Sequence, residues 1–317
     1  MIVHNIVDIS PLYHRFAYRM RNNGSDIPIM YLVLKEVERM REGVESRGAD
    51  VITSACFDSH RSFRKELIKS DDAEAYKSGR KSILTEEDFK DMETMKEIMR
   101  NTGINVFCKE GCEADDLMAK VGDSYKDDFD LTVMYTPDKD MMINVKESIG
   151  MRKLSPNFGW ISISVSNFVE EASAGFKVNM PYNAIGLYLS TVGDSADKIP
   201  GIYKFGARAF EKLVNQLGDT IDWSKMTDYE YVKDVIITSN ERGYISDEQF
   251  KQAVESYNMV RAIEIDNNDR SLAEVIDEGN GIKKIVTGMS IPTVLSVSTS
   301  EKRKEVYSNA GMKSIAR

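Results

Sequence analysis

INVFCKEGCEADDLMAKV, residues 104–121, passes from an apolar strand-like run (104–109) straight into an amphipathic helical pattern over 114–125. Three carboxylates, Glu113, Asp115 and Asp116, stand at the mouth of that helix. Acids in a first helical turn complement the positive end of the helix dipole. Three of them within four residues, beside a glycine and a cysteine, exceed what capping requires. The stretch therefore reads as half of a strand–helix unit whose junction either starts a helix or holds a cation.

Three more runs share the strand character: IVHNIVDI (2–9), VITSACFD (51–58) and LTVMYTPD (131–138). Each is apolar, rich in β-branched or aromatic residues, and followed by polar or turn-forming sequence. Helical patterns over 28–47 and 86–102 lie between them. Alternation of this kind predicts an α/β fold with a mostly parallel central sheet covered by helices on both faces. Asp8, Asp58 and Asp138 fall at or near strand C-termini, and Glu113 follows the fourth strand closely. In a parallel sheet those ends share one edge, where open α/β folds bind their ligands. A lone aspartate after a strand is ordinarily a turn or a cap. Four such events at one edge favour a cation site, and positions 8, 58, 113–116 and 138–140 are expected to converge.

Beyond residue 160 the pattern turns mostly helical, over 164–175, 181–192, 206–217, 228–240 and 247–263. VGDSADKIPGIYKFGARAFEKL (192–213) reads as a helix–loop–helix, with Pro200 and Gly201 breaking the first helix and Gly206 opening the second. Asp194 and Asp197, three residues apart, are expected on one face of a helical end, which disfavours acids unless a cation compensates them. From about 265 the sequence is mixed and polar, and its end is either poorly ordered or docked through a short helix. The expected organisation is a core over 1–178, a helical region over 179–264 with the helix–loop–helix at 181–217, and an extension over 265–317.

The 317 residues hold 42% apolar and 29% charged side chains, ordinary for a soluble globular protein. There is no apolar run of bilayer-spanning length, and MIVHNIVDIS lacks the layout of a secretory signal. Cys56, Cys108 and Cys112 are odd in number and lie in or near apolar runs, which predicts reduced thiols in a cytosolic protein. The formal charge of −9 argues against a polyanionic partner until its distribution is considered. Residues 61–81 carry seven Lys or Arg against four acids, and 198–212 carry four against one. Either island, taken alone, is also what a solvated helix face looks like.

Nine carboxylates form the candidate site: Asp8, Asp58, Glu113, Asp115, Asp116, Asp138, Asp140, Asp194 and Asp197. The negative excess is no larger than this set. So many anions in one cleft resist ionisation unless cations compensate them. Oxygen ligands without histidine suit Mg²⁺ or Mn²⁺ rather than zinc. Two such ions ~4 Å apart activate water on one side of a phosphodiester and stabilise the leaving oxygen on the other. Each fragment keeps its plain alternative, DKD (138–140) above all, which is also a turn leading into a short helix.

VDISPLYHRFAY, CFDSHRSFRKEL, EAYKSGRK, CEADDLMAKV, TPDKD and GDSADKIPG, in this order, resemble the structure-specific 5′ nuclease family of PIN-like fold. That family includes flap endonucleases, the 5′ nuclease domains of bacterial DNA polymerases and bacteriophage 5′ exonucleases. The match runs from residue 3 to about 213, and RSFRKEL…YKSGR is most similar to the bacteriophage enzymes, which implies the host cytoplasm. The resemblance implies metal-dependent cleavage near single-strand/duplex junctions in replication or repair. One metal would be held by Asp8, Asp58, Glu113 and Asp115. The other would be served by Asp138, Asp140 and Asp197, with Asp116 and Asp194 acting directly or through water. Segment 60–84 would be the family's arch. There Lys77 and Arg80 would face the scissile phosphate, Arg64 and Lys65 would steer the strand, and Tyr76 would either stack on an unpaired base or pack internally. The helix–turn–helix variant would grip duplex backbone through Lys204, Gly206 and Arg208. Lys204 stands where the family usually has a second loop glycine, and glycine accepts a left-handed backbone more cheaply. That departure bears on the family's monovalent-cation site in the loop. The implied partners are DNA with a 5′ flap, nick or 5′ end, RNA–DNA hybrids, and replication proteins through the extension.

A non-catalytic DNA-junction binding protein on the same scaffold is the alternative, but a pure binder has little reason to keep anions facing phosphate.

Overall fold

The computed structural model describes residues 1–59, 83–155, 159–180, 184–222, 225, 229–260, 300–309 and 312. These divide into two compact units: one within Met1–Arg61, Lys81–Pro137 and Glu264–Arg317, the other within Asp138–Ile263.

The first unit carries the parallel sheet that strand–helix alternation predicts. Strands β1 (Ile2–Asp8), β2 (Asp50–Phe57), β3 (Asn105–Cys108) and β4 (Leu131–Thr136) lie in the order β3-β2-β1-β4, every neighbouring pair parallel. The central strand β1 is buried from Val3 to Asp8, as expected where helices cover both faces. Helices α1 (Ile9–Asn22), α2 (Ile29–Glu45), α3 (Glu86–Asn101) and α4 (Ala114–Ser124) supply that cover. Their inward faces recur at helical spacing: Leu12, Tyr13 and Phe16; Val33, Leu34 and Val37; Met92, Met95 and Met99; Leu117, Met118 and Val121. Each such side chain contributes about 1.5–3 kcal/mol on burial. Helix α3 starts where its sequence says it should, because the Asp88 carboxylate accepts from the Thr85 amide at 2.6 Å in a capping box.

Helix Ser300–Asn309 belongs to this unit and realises the docked alternative for the end of the chain. Arg303 Nε and Nη2 reach Glu38 Oε2 and Glu45 Oε2, each at 3.0 Å, and the Tyr307 hydroxyl donates to Glu38 Oε1 at 2.9 Å.

His4, fully buried in β1, lies with Nε2 2.8 Å from Ser54 Oγ, and burial lowers its pKa to about 3. The folded state holds this ring neutral, whereas the unfolded chain protonates it near pH ~6.5. Its contribution to stability is therefore complete above pH ~6.5 and is lost as pH falls towards 3, by at most about 1.4 kcal/mol per pH unit. We expect the urea midpoint to drop between pH 7 and 5 in the wild type, and the drop to shrink in His4→Gln. Parallel pH dependences for the two proteins would remove His4 from that account.

The second unit opens with a short 3₁₀ turn, Lys139–Asn144, and an antiparallel pair, β5 (Ile149–Leu154) and β6 (Trp160–Ile163). Helices α5 (Phe168–Phe176), α6 (Ile185–Val192), α7 (Ala207–Leu217), α8 (Tyr229–Glu241) and α9 (Asp247–Val260) follow. The expected helical stretch at 164–175 is thus preceded by a strand and begins as a 3₁₀ turn at Val165–Asn167. Edge-to-face aromatic contacts join α5, α6 and α7, with Phe176–Tyr188 centroids at 5.4 Å and Tyr188–Phe210 at 5.2 Å. Parallel strands flanked by helices, one antiparallel pair and a helical remainder give the α/β class expected from the sequence.

Candidate functional site

In the first unit the strand ends are laced to the mouth of α4. Asp8 closes β1 and precedes α1 directly, and Thr136 Oγ1, at the end of β4, donates to Asp8 Oδ2 at 2.8 Å. Asp58 follows β2. Its amide donates to Ser10 Oγ at 3.0 Å, and its Oδ1 accepts from the Ala114 amide, the first of α4, at 2.8 Å. One carboxylate thus ties the second strand to the helix that begins the acidic cluster. Both acids act on Cys56, whose thiol pKa is pushed well up by burial and then by the charges of Asp8 and Asp58.

Glu113, Asp115 and Asp116 each present a carboxylate oxygen within 4.8 Å of the others. Asp116 is buried, and its Oδ2 accepts from the Glu113 amide at 3.0 Å. Asp115 Oδ1 accepts from the Asp116 amide at 2.8 Å. Part of the cluster therefore does cap the helix, as the plain alternative holds. Capping does not account for three acids at this separation, because one side chain suffices to cap. Beside Asp58 lies an open pocket of about 780 Å³, with Ser10, His14, Phe89 and Lys96 among its walls. These pocket residues were missed from sequence; Ser10 and His14 follow Asp8 on α1, in a segment where no helix was expected.

In the second unit Asp138 caps the 3₁₀ turn, its Oδ1 accepting from the Asp140 amide at 2.9 Å. Asp140 is pushed up to about 8 by burial, then by the charges of Asp138 and Asp194, and by a hydrogen bond to Asp194 that favours the protonated form. Three of the nine acids thus meet here, and their crowding opposes ionisation of Asp140 at neutral pH. A divalent cation reverses that tendency, so this donor set fits one.

The surroundings of Asp194 correct the sequence expectation. Helix α6 ends at Val192, so Asp194 and Asp197 do not share the face of a helical end. They lie in a turn closed by the Asp194–Ile199 bridge, whose two hydrogen bonds measure 3.0 and 2.8 Å. Glycine is required at both sides of it. Gly193 has φ +79°, and a Cβ there would come within 2.5 Å of the Ile199 carbonyl oxygen. Gly201 has φ +60°, and a Cβ would come within 2.5 Å of the Gly193 nitrogen. Gly193, not Pro200, ends the first helix of the helix–loop–helix.

Lys204 occupies the left-handed region at φ +58° despite its side chain, so the loop keeps a glycine-like backbone where glycine is absent. Gly206 caps α7, and Arg208 is exposed in its first turn. Arg64, Lys65, Tyr76, Lys77 and Arg80, with the whole expected arch, lie outside the described residues.

The family model for the 5′-3′ exonuclease, N-terminal resolvase-like domain, matches residues 4–173. The 5′-3′ exonuclease of Buchnera aphidicola subsp. Acyrthosiphon pisum is 26% identical over 208 residues, 65% of this chain and 66% of that protein. DNA polymerase I of Borreliella burgdorferi is 30% identical over 124 residues, 38% of this chain and 13% of the polymerase. The chain spans less than two thirds of the length of either relative. Among solved structures, a bacteriophage T5 protein co-crystallised with metal ions is 16% identical, with a TM-score of 0.57 over 94% of this chain and 100% of that one. A bacteriophage T5 flap endonuclease complex with DNA and metal ions, also 16% identical, gives 0.54 over 93% and 99%. At such identity the likeness establishes the fold. No helix among the described residues is long and apolar enough to cross a membrane.

Proposed function

This chain belongs to the 5′-3′ exonuclease family, and from that premise we propose that it is a divalent-metal-dependent 5′ nuclease that hydrolyses phosphodiesters near single-strand/duplex junctions in DNA replication or repair. The observation that carries the reading is the approach of Glu113, Asp115 and Asp116 to within 4.8 Å, on a helix whose first amide is held by Asp58. Oxygen donors of this kind suit Mg²⁺ or Mn²⁺. One ion would fall to Asp8, Asp58, Glu113 and Asp115. The other would fall to Asp138, Asp140 and Asp197, with Asp116 and Asp194 supporting directly or through water. Bound there, the ions would supply an activated water and stabilisation of the leaving oxygen.

The chain's own side chains would do the rest. The carboxylates fix the ions. Lys77 and Arg80 neutralise charge developing on the scissile phosphate, and Arg64, Lys65 and Tyr76 guide the single strand. Lys204, Arg208 and the α7 amides after Gly206 hold duplex phosphates without reading bases. A monovalent cation in the 193–206 loop, cleavage of RNA–DNA hybrids, and replication partners docking through 265–317 belong to the same proposal.

Incubation with a labelled 5′ flap, a nicked duplex and an RNA–DNA hybrid tests it. With Mg²⁺ the 5′ label is expected in short products released at the junction, and with EDTA the substrates remain intact. Absence of cleavage with either Mg²⁺ or Mn²⁺, or cleavage indifferent to EDTA, would overturn the reading.

A further inference from the structure

Glu113 is the member of its cluster that no helix holds. Asp115 and Asp116 lie in α4, whereas Glu113 precedes its first residue in extended backbone, with φ −87° and ψ 159°. The chain reaches Glu113 through a tight turn, closed by the Cys112 amide donating to the Lys109 carbonyl at 3.1 Å. Gly111, third in that turn, has φ +85°, the left-handed value that a type II turn requires of glycine. The closing bond does not engage the Gly111 amide, and Gly111 is buried, where an amide needs a partner.

That partner comes from the segment after β2. Ser59 Oγ accepts from the Gly111 amide at 3.0 Å, and the Ser59 amide donates to the Cys112 carbonyl at 3.1 Å. Its neighbour Asp58 accepts from the Ala114 amide at 2.8 Å. Cys112 and Ala114, the residues on either side of Glu113, are therefore tied to two consecutive residues beyond the adjoining strand end. Metal ligands must be held to within ~0.5 Å of their working geometry. A ligand ahead of a helix lacks the helix's own hydrogen bonds, so these outside ties set its backbone. Without Oγ the buried Gly111 amide must find another acceptor, and the turn that delivers Glu113 moves with it. An ordinary loop contact costs stability when it is lost and nothing more. A contact that sets a ligand costs metal affinity as well.

We propose that Ser59 is a positioning residue for metal binding. Its side-chain oxygen and its amide fix the 109–112 turn, and through that turn the Glu113 carboxylate. The inference deepens the metal-dependent reading of the acid cluster and rests on it. No sequence pattern singled Ser59 out, because the amide its side chain holds is 52 positions away in the chain.

The test compares wild type with Ser59→Ala, Ser59→Thr and Ser59→Cys in the full chain. Mn²⁺ binding without DNA is measured from the electron paramagnetic resonance of the free ion. Thermal unfolding in EDTA and cleavage of a labelled 5′ flap over a range of Mg²⁺ accompany it. Ser59→Ala is expected to weaken Mn²⁺ binding about tenfold and to raise the half-saturating Mg²⁺ by a similar factor, with cleavage at saturating Mg²⁺ close to wild type. Threonine keeps the acceptor, and its extra methyl has room beside the open pocket, so Ser59→Thr should retain wild-type affinity. Cysteine keeps the volume but accepts weakly, so Ser59→Cys should fall between, and it replaces Ser59→Ala in the comparison if alanine prevents folding. On a Glu113→Gln background Ser59→Ala should cost little further affinity, because its effect passes through Glu113. Lower thermal stability in Ser59→Ala and Ser59→Cys with unaltered Mn²⁺ affinity would reduce the contact to loop closure and overturn the proposal. So would an equal loss in Ser59→Thr, full additivity with Glu113→Gln, or a wild type that binds no Mn²⁺. A wild-type Mg²⁺ response in Ser59→Ala alongside normal cleavage removes Ser59 and leaves the nuclease standing. Mn²⁺ binding that depends on Ser59 without cleavage of any substrate does the reverse.

Discussion

Asp138→Asn is expected to lower Mg²⁺-dependent cleavage of a 5′ flap by at least about 100-fold, the equivalent of the several kcal/mol that a bound metal contributes. The substitution separates charge from fold. Asp138 Oδ1 caps the 3₁₀ turn by accepting from the Asp140 amide at 2.9 Å, and asparagine caps as well as aspartate. The turn is therefore kept while one negative charge is removed. Because the Asp138 charge is among the causes that raise Asp140, Asp140 should ionise more readily in the variant, yet with one fewer oxygen anion to hold an ion. DNA binding in EDTA should equal or exceed that of the wild type, since a like charge facing phosphate is gone. Single-turnover cleavage, duplex affinity and thermal midpoint measured together decide the matter. The assignment is falsified if cleavage proceeds near the wild-type rate.

The sequence made the acids easier to find than the surfaces around them. Asp8, Asp58 and Asp138 were legible as acids at or just beyond strand ends, because each closes a run of apolar, β-branched residues. The Glu113–Asp116 cluster was legible from its density. By contrast, α1 was missed because Ile9-Ser10-Pro11 looks like a turn after a strand; proline is tolerated in the first helical turn, where its missing N–H needs no intrahelical partner. Strands β5 and β6 are short, and Arg152, Lys153 and Ser162 break their apolar pattern. The turn around Asp194 was misplaced because its bridge depends on the positive φ of Gly193, and helical spacing carries no sign of that. The high pKa of Asp140 was out of reach for another reason. It arises from burial, then from Asp138 two positions away, and then from Asp194, fifty-four positions away in the chain; neither the burial nor Asp194 shows in a local window.

The same limit applies to the acid that secures helix Ser300–Asn309, and Glu38→Ala is expected to destabilise the fold by about 3–5 kcal/mol. Glu38 is 6% exposed and accepts from three donors: Arg303 Nε at 3.0 Å, the Tyr307 hydroxyl at 2.9 Å and Arg41 Nη1 at 3.3 Å. Alanine would leave Arg41 and Arg303, 1% and 5% exposed, as buried cations without the carboxylate they share. Arg41 already has its pKa lowered by burial, an effect that Glu38 opposes and Arg303 reinforces. Removing Glu38 therefore takes away the compensating charge and keeps the repelling one. Arg41 retains the Thr102 carbonyl at 3.2 Å and Arg303 retains Glu45, so the loss stays below that of a fully isolated charge. Two companions separate charge from packing. Glu38→Gln keeps the volume and an acceptor for Tyr307, and should cost less than alanine. Arg303→Met on the Glu38→Ala background should recover part of the loss, because one stranded cation goes with it. Urea unfolding at pH 7 reads all three, and hydrogen exchange should show amides of 300–309 losing protection first. Since α2 packs on β1 and β2, whose ends carry Asp8 and Asp58, cleavage should fall with the folded fraction and persist where the variant remains folded. A stability loss under about 1 kcal/mol, or full protection of 300–309 in Glu38→Ala, would mean that apolar packing alone holds this helix.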